Sequence, residues 1–138
     1  MFDLNVLDTK TPMDAGAPMA VMNPGTNRPM YDGDTPITIT LAGRDAERVR
    51  EIQHELQNRR LDQVRRNSSI KMTSEDNERD LIEILVAATI GWTIPSLDGE
   101  PFPFNERNAR RLWSDERFIA LRRQADAFIS DYSNFMKD

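Results

Sequence analysis

The feature that most limits the fold lies near the end of the sequence, where Phe118, Leu121, Ala125, Phe128, Tyr132 and Phe135 follow one another at alternating intervals of three and four residues. Only a helix brings side chains at that spacing onto one side, so the stripe predicts a last helix carrying a narrow apolar seam. A seam of this kind has to be covered. It suits the chain's own core, and it suits a partner helix equally well, with Tyr132, Phe135 and Met136 the candidates to stay exposed as a contact surface.

Three further helices are expected upstream. Val49, Ile52, Leu56, Leu61 and Val64 recur roughly every turn after Asp45, a residue able to cap a helix start, and Asn67-Ser68-Ser69 is expected to end that helix. Glu47, Glu51 and Glu55 alternate with Arg48, Arg50, Arg59 and Arg60 there, the pattern of a solvated face with modest ion pairs. Thr73 or Ser74 can cap the next helix, in which Leu81, Ile82, Leu85, Ala88 and Thr89 form a broad apolar face and Gly91 is placed as a stop. Asn105 can cap a short helix reaching Leu112 and Trp113, and Ser114 can start the last one.

The first third reads differently. Residues 1–16 show no period and are expected to form an extended arm whose Phe2, Leu4, Val6 and Leu7 dock elsewhere. Met19 to Met22 and Pro36 to Leu41, the latter alternating apolar with hydroxyl side chains, predict two strands paired as an antiparallel hairpin. Between Trp92 and Phe104, Pro95, Pro101 and Pro103 block helix and Asp98-Gly99 marks a tight turn, so an ordered loop packed by its aromatics is expected. The expected fold is mainly α with a small N-terminal β-hairpin: a compact bundle of about four helices, with an arm over 1–16 and one domain over 17–138, hairpin in 17–42 and helices in 45–138.

The 138 residues suit one domain, and the apolar share of 38% against 30% charged is enough for collapse. No cysteine is present, which removes disulfides, thiolate metal sites and cysteine nucleophiles. Glu51 and His54 form one Glu-x-x-His pair, but a di-metal bundle needs the motif twice and there is no second histidine. The serines lack a Gly-x-Ser-x-Gly elbow and no phosphate-binding glycine loop occurs. Catalytic residues, cofactors and metals are therefore expected to be absent. The nearly uncharged stretch from Leu81 to Trp92, interrupted by Glu83, is too short to span a bilayer, and no signal peptide is expected over the first eleven residues.

Net charge is −5, yet residues 44–71 are net positive between acidic flanks. Arg59, Arg60, Arg65, Arg66 and Lys71 form the basic cluster, without aromatic stacking residues among them. A solvated helix end, an acidic protein partner or nucleic acid would each suit such a cluster, and the acidic whole argues against nucleic acid.

Trp92 with Leu97-Asp98-Gly99-Glu100-Pro101-Phe102-Pro103-Phe104, then Asn105 to Trp113 and the closing Asp131-Tyr132-Ser133-Asn134-Phe135, resembles the tail assembly chaperones of long-tailed bacteriophages. Met1-Phe2-Asp3-Leu4, the Pro24-Gly25-Thr26 turn and Ile37 to Leu41 running into Gly43-Arg44-Asp45 resemble the first half of the same family. The likeness covers most of the chain, the middle helices only in pattern. It implies a non-enzymatic factor of the host cytoplasm that binds the tape measure protein and the major tail tube protein. It also implies a longer frameshifted form read from the same gene. Self-association is a further expectation; nucleic acid and membrane are not expected partners. The residues expected to contact partners are Trp92, Phe102, Phe104, Trp113, Phe118, Leu121, Phe128, Tyr132 and Phe135, with Arg59 and Arg60. The alternative reading is a structural component of the tail or of the head-to-tail connector.

Overall fold

The computed structural model describes residues 1–67 and 73–136. Ser68, Ser69 and Lys71, on which the expected end of the second helix and part of the basic cluster rest, lie outside the described residues, as do Lys137 and Asp138.

The arm is not extended. Asp3 accepts from the Asn5 N–H and caps a 3-10 turn at Leu4–Leu7, and helix α1 follows at Lys10–Ala15. Met13 of α1 is fully buried, whereas Phe2, Leu4, Val6 and Leu7 remain exposed. Gly43 accounts for the docking of Met13, because a Cβ there would lie 2.3 Å from the Met13 Cγ.

Strand β1 (Ala17–Ala20) leads into an excursion built from β2 (Tyr31–Asp32) and β3 (Thr35–Pro36), turned at Gly33 with φ +60°, before β4 (Thr38–Leu41) returns. The expected antiparallel pairing is present with shifted bounds: β1 starts at Ala17 and ends at Ala20, so of the Met19 to Met22 run only Met19 and Ala20 pair with β4, opposite Ile39 and Thr38. The Thr-Ile-Thr-Leu alternation of β4 sends Ile39 and Leu41 into the core and leaves the threonines half-buried.

Helix α2 (Glu47–Asn67) begins with a cap from elsewhere in the chain. The Glu47 N–H donates to Asp14 of α1 at 2.7 Å, while the expected cap, Asp45, instead accepts from the Thr9 hydroxyl. Helix α3 (Ser74–Ala88) starts in a capping box between Thr73 and Asp76, which makes Thr73 its cap. It ends at Ala88, short of Gly91. Thr89–Trp92 is strand β5, antiparallel to β4 in a three-stranded sheet ordered β1-β4-β5. Strands are thus not confined to an N-terminal hairpin, because the sheet draws its third strand from beyond α3. A short run of β-branched Thr89 and Ile90 before Gly91 and Trp92 is too brief to be separated from the helix that feeds it.

The loop after β5 contains a second hairpin, β6 (Ser96–Leu97) against β7 (Glu100–Pro101). Its turn residues Asp98 and Gly99 both have positive φ, 53° and 79°, the geometry a two-residue hairpin loop of this hand requires. Helix α4 (Glu106–Ser114) is capped by Asn105 as expected. Asp115, not Ser114, caps the next turn at Glu116–Phe118, and helix α5 runs only over Ile119–Ser130. Asp131 then caps a separate 3-10 turn at Tyr132–Asn134, so the seam does not continue on one helix to Phe135.

The molecule is mainly helical, α2 to α5 joining the three-stranded sheet around one core that includes Ile39, Leu41, Leu85, Trp113, Ala125 and Ile129. The face of α5 turned inward carries Arg122, Ala125 and Ile129. Arg122 is 2% exposed, and its guanidinium donates twice to the Trp113 carbonyl, tying α5 to the end of α4. Gln124 holds the outer edge of β1, its Nε2 donating to the Ala20 carbonyl at 2.7 Å and its Oε1 accepting from the Met22 N–H.

Candidate functional site

Phe118, which ends the 3-10 turn, and Leu121 in the first turns of α5 are half-buried and face the excursion between β1 and β4. Between them lies an open groove of about 530 Å3. Val21, Met22, Met30 and Ile37 form its ribbon wall, Ile94 and Leu97 its second wall, and Phe102 and Leu112 its floor. Methionine side chains flex to fit irregular apolar surfaces.

The aromatic loop sets the floor. Trp92 stacks on Phe102 with centroids 5.1 Å apart and meets Phe104 edge-on at 5.2 Å. The Trp92 indole N–H donates to the Phe102 carbonyl at 2.9 Å, which holds the strand end against the loop. The Arg111 guanidinium lies 5.4 Å from the Phe102 ring centre, and that of Arg117 lies 5.2 Å from the Phe118 ring centre.

Arg117 also fixes the mouth. It donates through both terminal nitrogens to Asp98 in the β6-β7 turn and through Nε and Nη2 to Asp115. The guanidinium, with its own backbone N–H on Asp115, holds the Asp115 carboxyl down at about 2, and it lowers Asp98 as well; the two carboxylates in turn raise Arg117. The hairpin is thereby latched to the start of α5.

The expected contact residues divide into four places. Phe102, Phe118 and Leu121 come together in the groove, with Trp92 and Phe104 directly behind, Phe104 being partly exposed. Trp113 is sealed in the core, its indole donating to the Thr89 hydroxyl, and is not surface at all. Phe128 and Phe135 pack edge-on at 5.5 Å at the far end of α5, where Tyr132 is exposed and the charge of Asp45 raises its phenol. Arg59 is exposed and pairs with Glu55 along α2, and Arg60 pairs with Asp80 of α3. The ribbon wall was not among the expected contact residues; the Met19 to Met22 run and Met30 carried its signal, but nothing in the sequence aligned them with α5.

Among the described residues no group of three or more His, Asp or Glu side chains is placed to hold a metal ion. His54 stands exposed on α2 beside Glu51. No helix among the described residues is long and apolar enough to cross a membrane. No protein-family model matches the chain, and no curated protein and no solved structure matches it.

Proposed function

We propose that this protein is a non-enzymatic tail assembly chaperone of a long-tailed bacteriophage, acting in the host cytoplasm on the tape measure protein and on tail tube subunits. The observation that carries the reading is the open apolar groove between the ribbon and α5, built from the aromatic loop on which the family resemblance rests. A long helical client exposes apolar stripes before its tube forms, and a groove with flexible methionine walls takes such a stripe one or two side chains at a time. The net charge of −5 keeps the resulting complex soluble.

Co-expression with the tape measure protein encoded beside it tests this directly. The expected result is a larger soluble fraction of the client and its recovery with the chaperone; an equal soluble fraction with and without the protein overturns the proposal. Mass spectrometry of purified virions is expected to find the chain absent, and its stoichiometric presence would mark it as a structural component instead.

A further inference from the structure

The exposed apolar side chains are unevenly placed. Phe2, Leu4, Val6 and Leu7 are 73, 69, 58 and 63% exposed, a cluster within six residues, while another exposed apolar residue, Met30, lines the groove. In the 3-10 turn Leu4–Leu7 the first and last residues stand above one another, so Leu4 and Leu7 form one apolar knob with Phe2 beside it. Among the described residues the chain therefore displays an open apolar groove and an exposed apolar knob.

The knob is held away from the groove of its own molecule. Thr9 is bonded to Asp45, Gly43 to the Met13 carbonyl, and Arg44 to the Ile129 carbonyl, which roots the arm at the C-terminal end of α5. The groove lies at the opposite end, at Phe118 and Leu121. Leu121 and Ile129 lie about 12 Å apart along the helix axis. Leu7, two residues from the anchored Thr9, reaches at most about 7 Å even when extended, so the Leu4–Leu7 pair cannot enter that groove as one knob.

We propose that the groove of one copy is filled by the Phe2–Leu7 knob of a second copy. A groove of about 530 Å3 is of the size that takes a few apolar groups, within the range of roughly 300–1,000 Å3 usual for such sites. One arm buries far less than the roughly 1,000 Å2 of a lasting interface, so the contact is weak and forms only as concentration rises. Where the groove is also the client site, which rests on the function proposed above, the arm is a placeholder that a client segment displaces.

The test is sedimentation velocity of the full chain over a wide concentration range, on the wild type, on an arm variant (Leu4→Ser with Leu7→Ser) and on a groove variant (Met30→Glu with Ala120→Glu). All four positions are exposed, so both variants are expected to keep the wild-type circular dichroism and melting temperature. The wild type is expected to gain mass with concentration, and each variant alone to need more than about tenfold higher concentration for the same gain. Mixing the two variants is expected to restore a pair, because one supplies an intact groove and the other an intact arm. A wild type that stays monomeric throughout, an arm variant that associates like the wild type, or a mixture no heavier than its components overturns the proposal. None of these readings involves a client, so they leave the chaperone proposal to its own test.

Discussion

The indole N–H of Trp113 donates to the hydroxyl of Thr89 across 2.9 Å inside the core, and that hydroxyl donates in turn to the Leu85 carbonyl at 2.6 Å. Thr89 is the residue at which α3 becomes β5, so this relay joins helix, strand and the end of α4 at one point. Replacing Thr89 with Val keeps the shape and strands the fully buried indole donor. The expected cost is about 1–3 kcal/mol, read as a lower denaturation midpoint. Thr89→Ser keeps the hydroxyl and is expected to lose less; equal losses in the two variants would assign the effect to packing alone.

Gly43→Ala tests how α1 is docked. The added Cβ lies 2.3 Å from Met13 Cγ and 2.9 Å from Met13 Cβ, too close to be relieved by rotating the side-chain tip. Expelling Met13 is expected to cost roughly 2–5 kcal/mol, as other losses of large buried side chains do. Trypsin cleavage after Lys10 should accelerate. In a Met13→Ala background the same substitution is expected to cost much less, and additive losses would mean that the overlap is relieved some other way.

Arg117→Gln addresses the latch. Asp115 is lowered to about 2 in the folded chain against an ordinary 3.8. With the folded value below the unfolded one, its contribution to stability is present above the unfolded value and disappears as pH falls through the folded value. The window is thus about pH 4 down to 2. Carboxyl carbon shifts followed by NMR should show the Asp115 and Asp98 midpoints rising in Arg117→Gln. Asp115 is expected to stop short of 3.8, because the backbone N–H of residue 117 still donates to it at 2.9 Å.

Ala120→Glu places a carboxylate on the groove wall at an exposed position. It is expected to leave the melting temperature within about a degree of wild type, as surface substitutions generally do, and, under the proposed function, to reduce recovery of a tape measure client by more than about tenfold. An unchanged client yield would move client binding away from the groove.

Local signals were legible wherever a few neighbouring residues decide the conformation. Thr73, one of the two caps offered for α3, Asn105 ahead of α4, Asp98-Gly99 and the alternation from Thr38 to Leu41 each act over one turn and appear where expected. What was missed depends on distant partners. Asp14 caps a helix that begins 33 residues later, and β5 exists because β4 offers a free edge to a segment that, taken alone, continues a helix. The seam was read in the right place but at the wrong rotation. Arg122 lies on the buried face, and no periodicity argument puts an arginine there, since its burial depends on the Trp113 carbonyl it meets after folding. The groove shares that origin: Phe118 and Leu121 were visible as apolar, whereas the ribbon facing them became their neighbour only through the β1-β4 pairing.

The two indoles occupy very different surroundings, one sealed beneath α3 and the other stacked on the floor of the groove. Emission from Trp113 should therefore follow global melting, while emission from Trp92 should respond when the cleft fills. A Trp92→Phe protein would separate the signals optically, and the molecule carries its own dye for titrating any ligand against it.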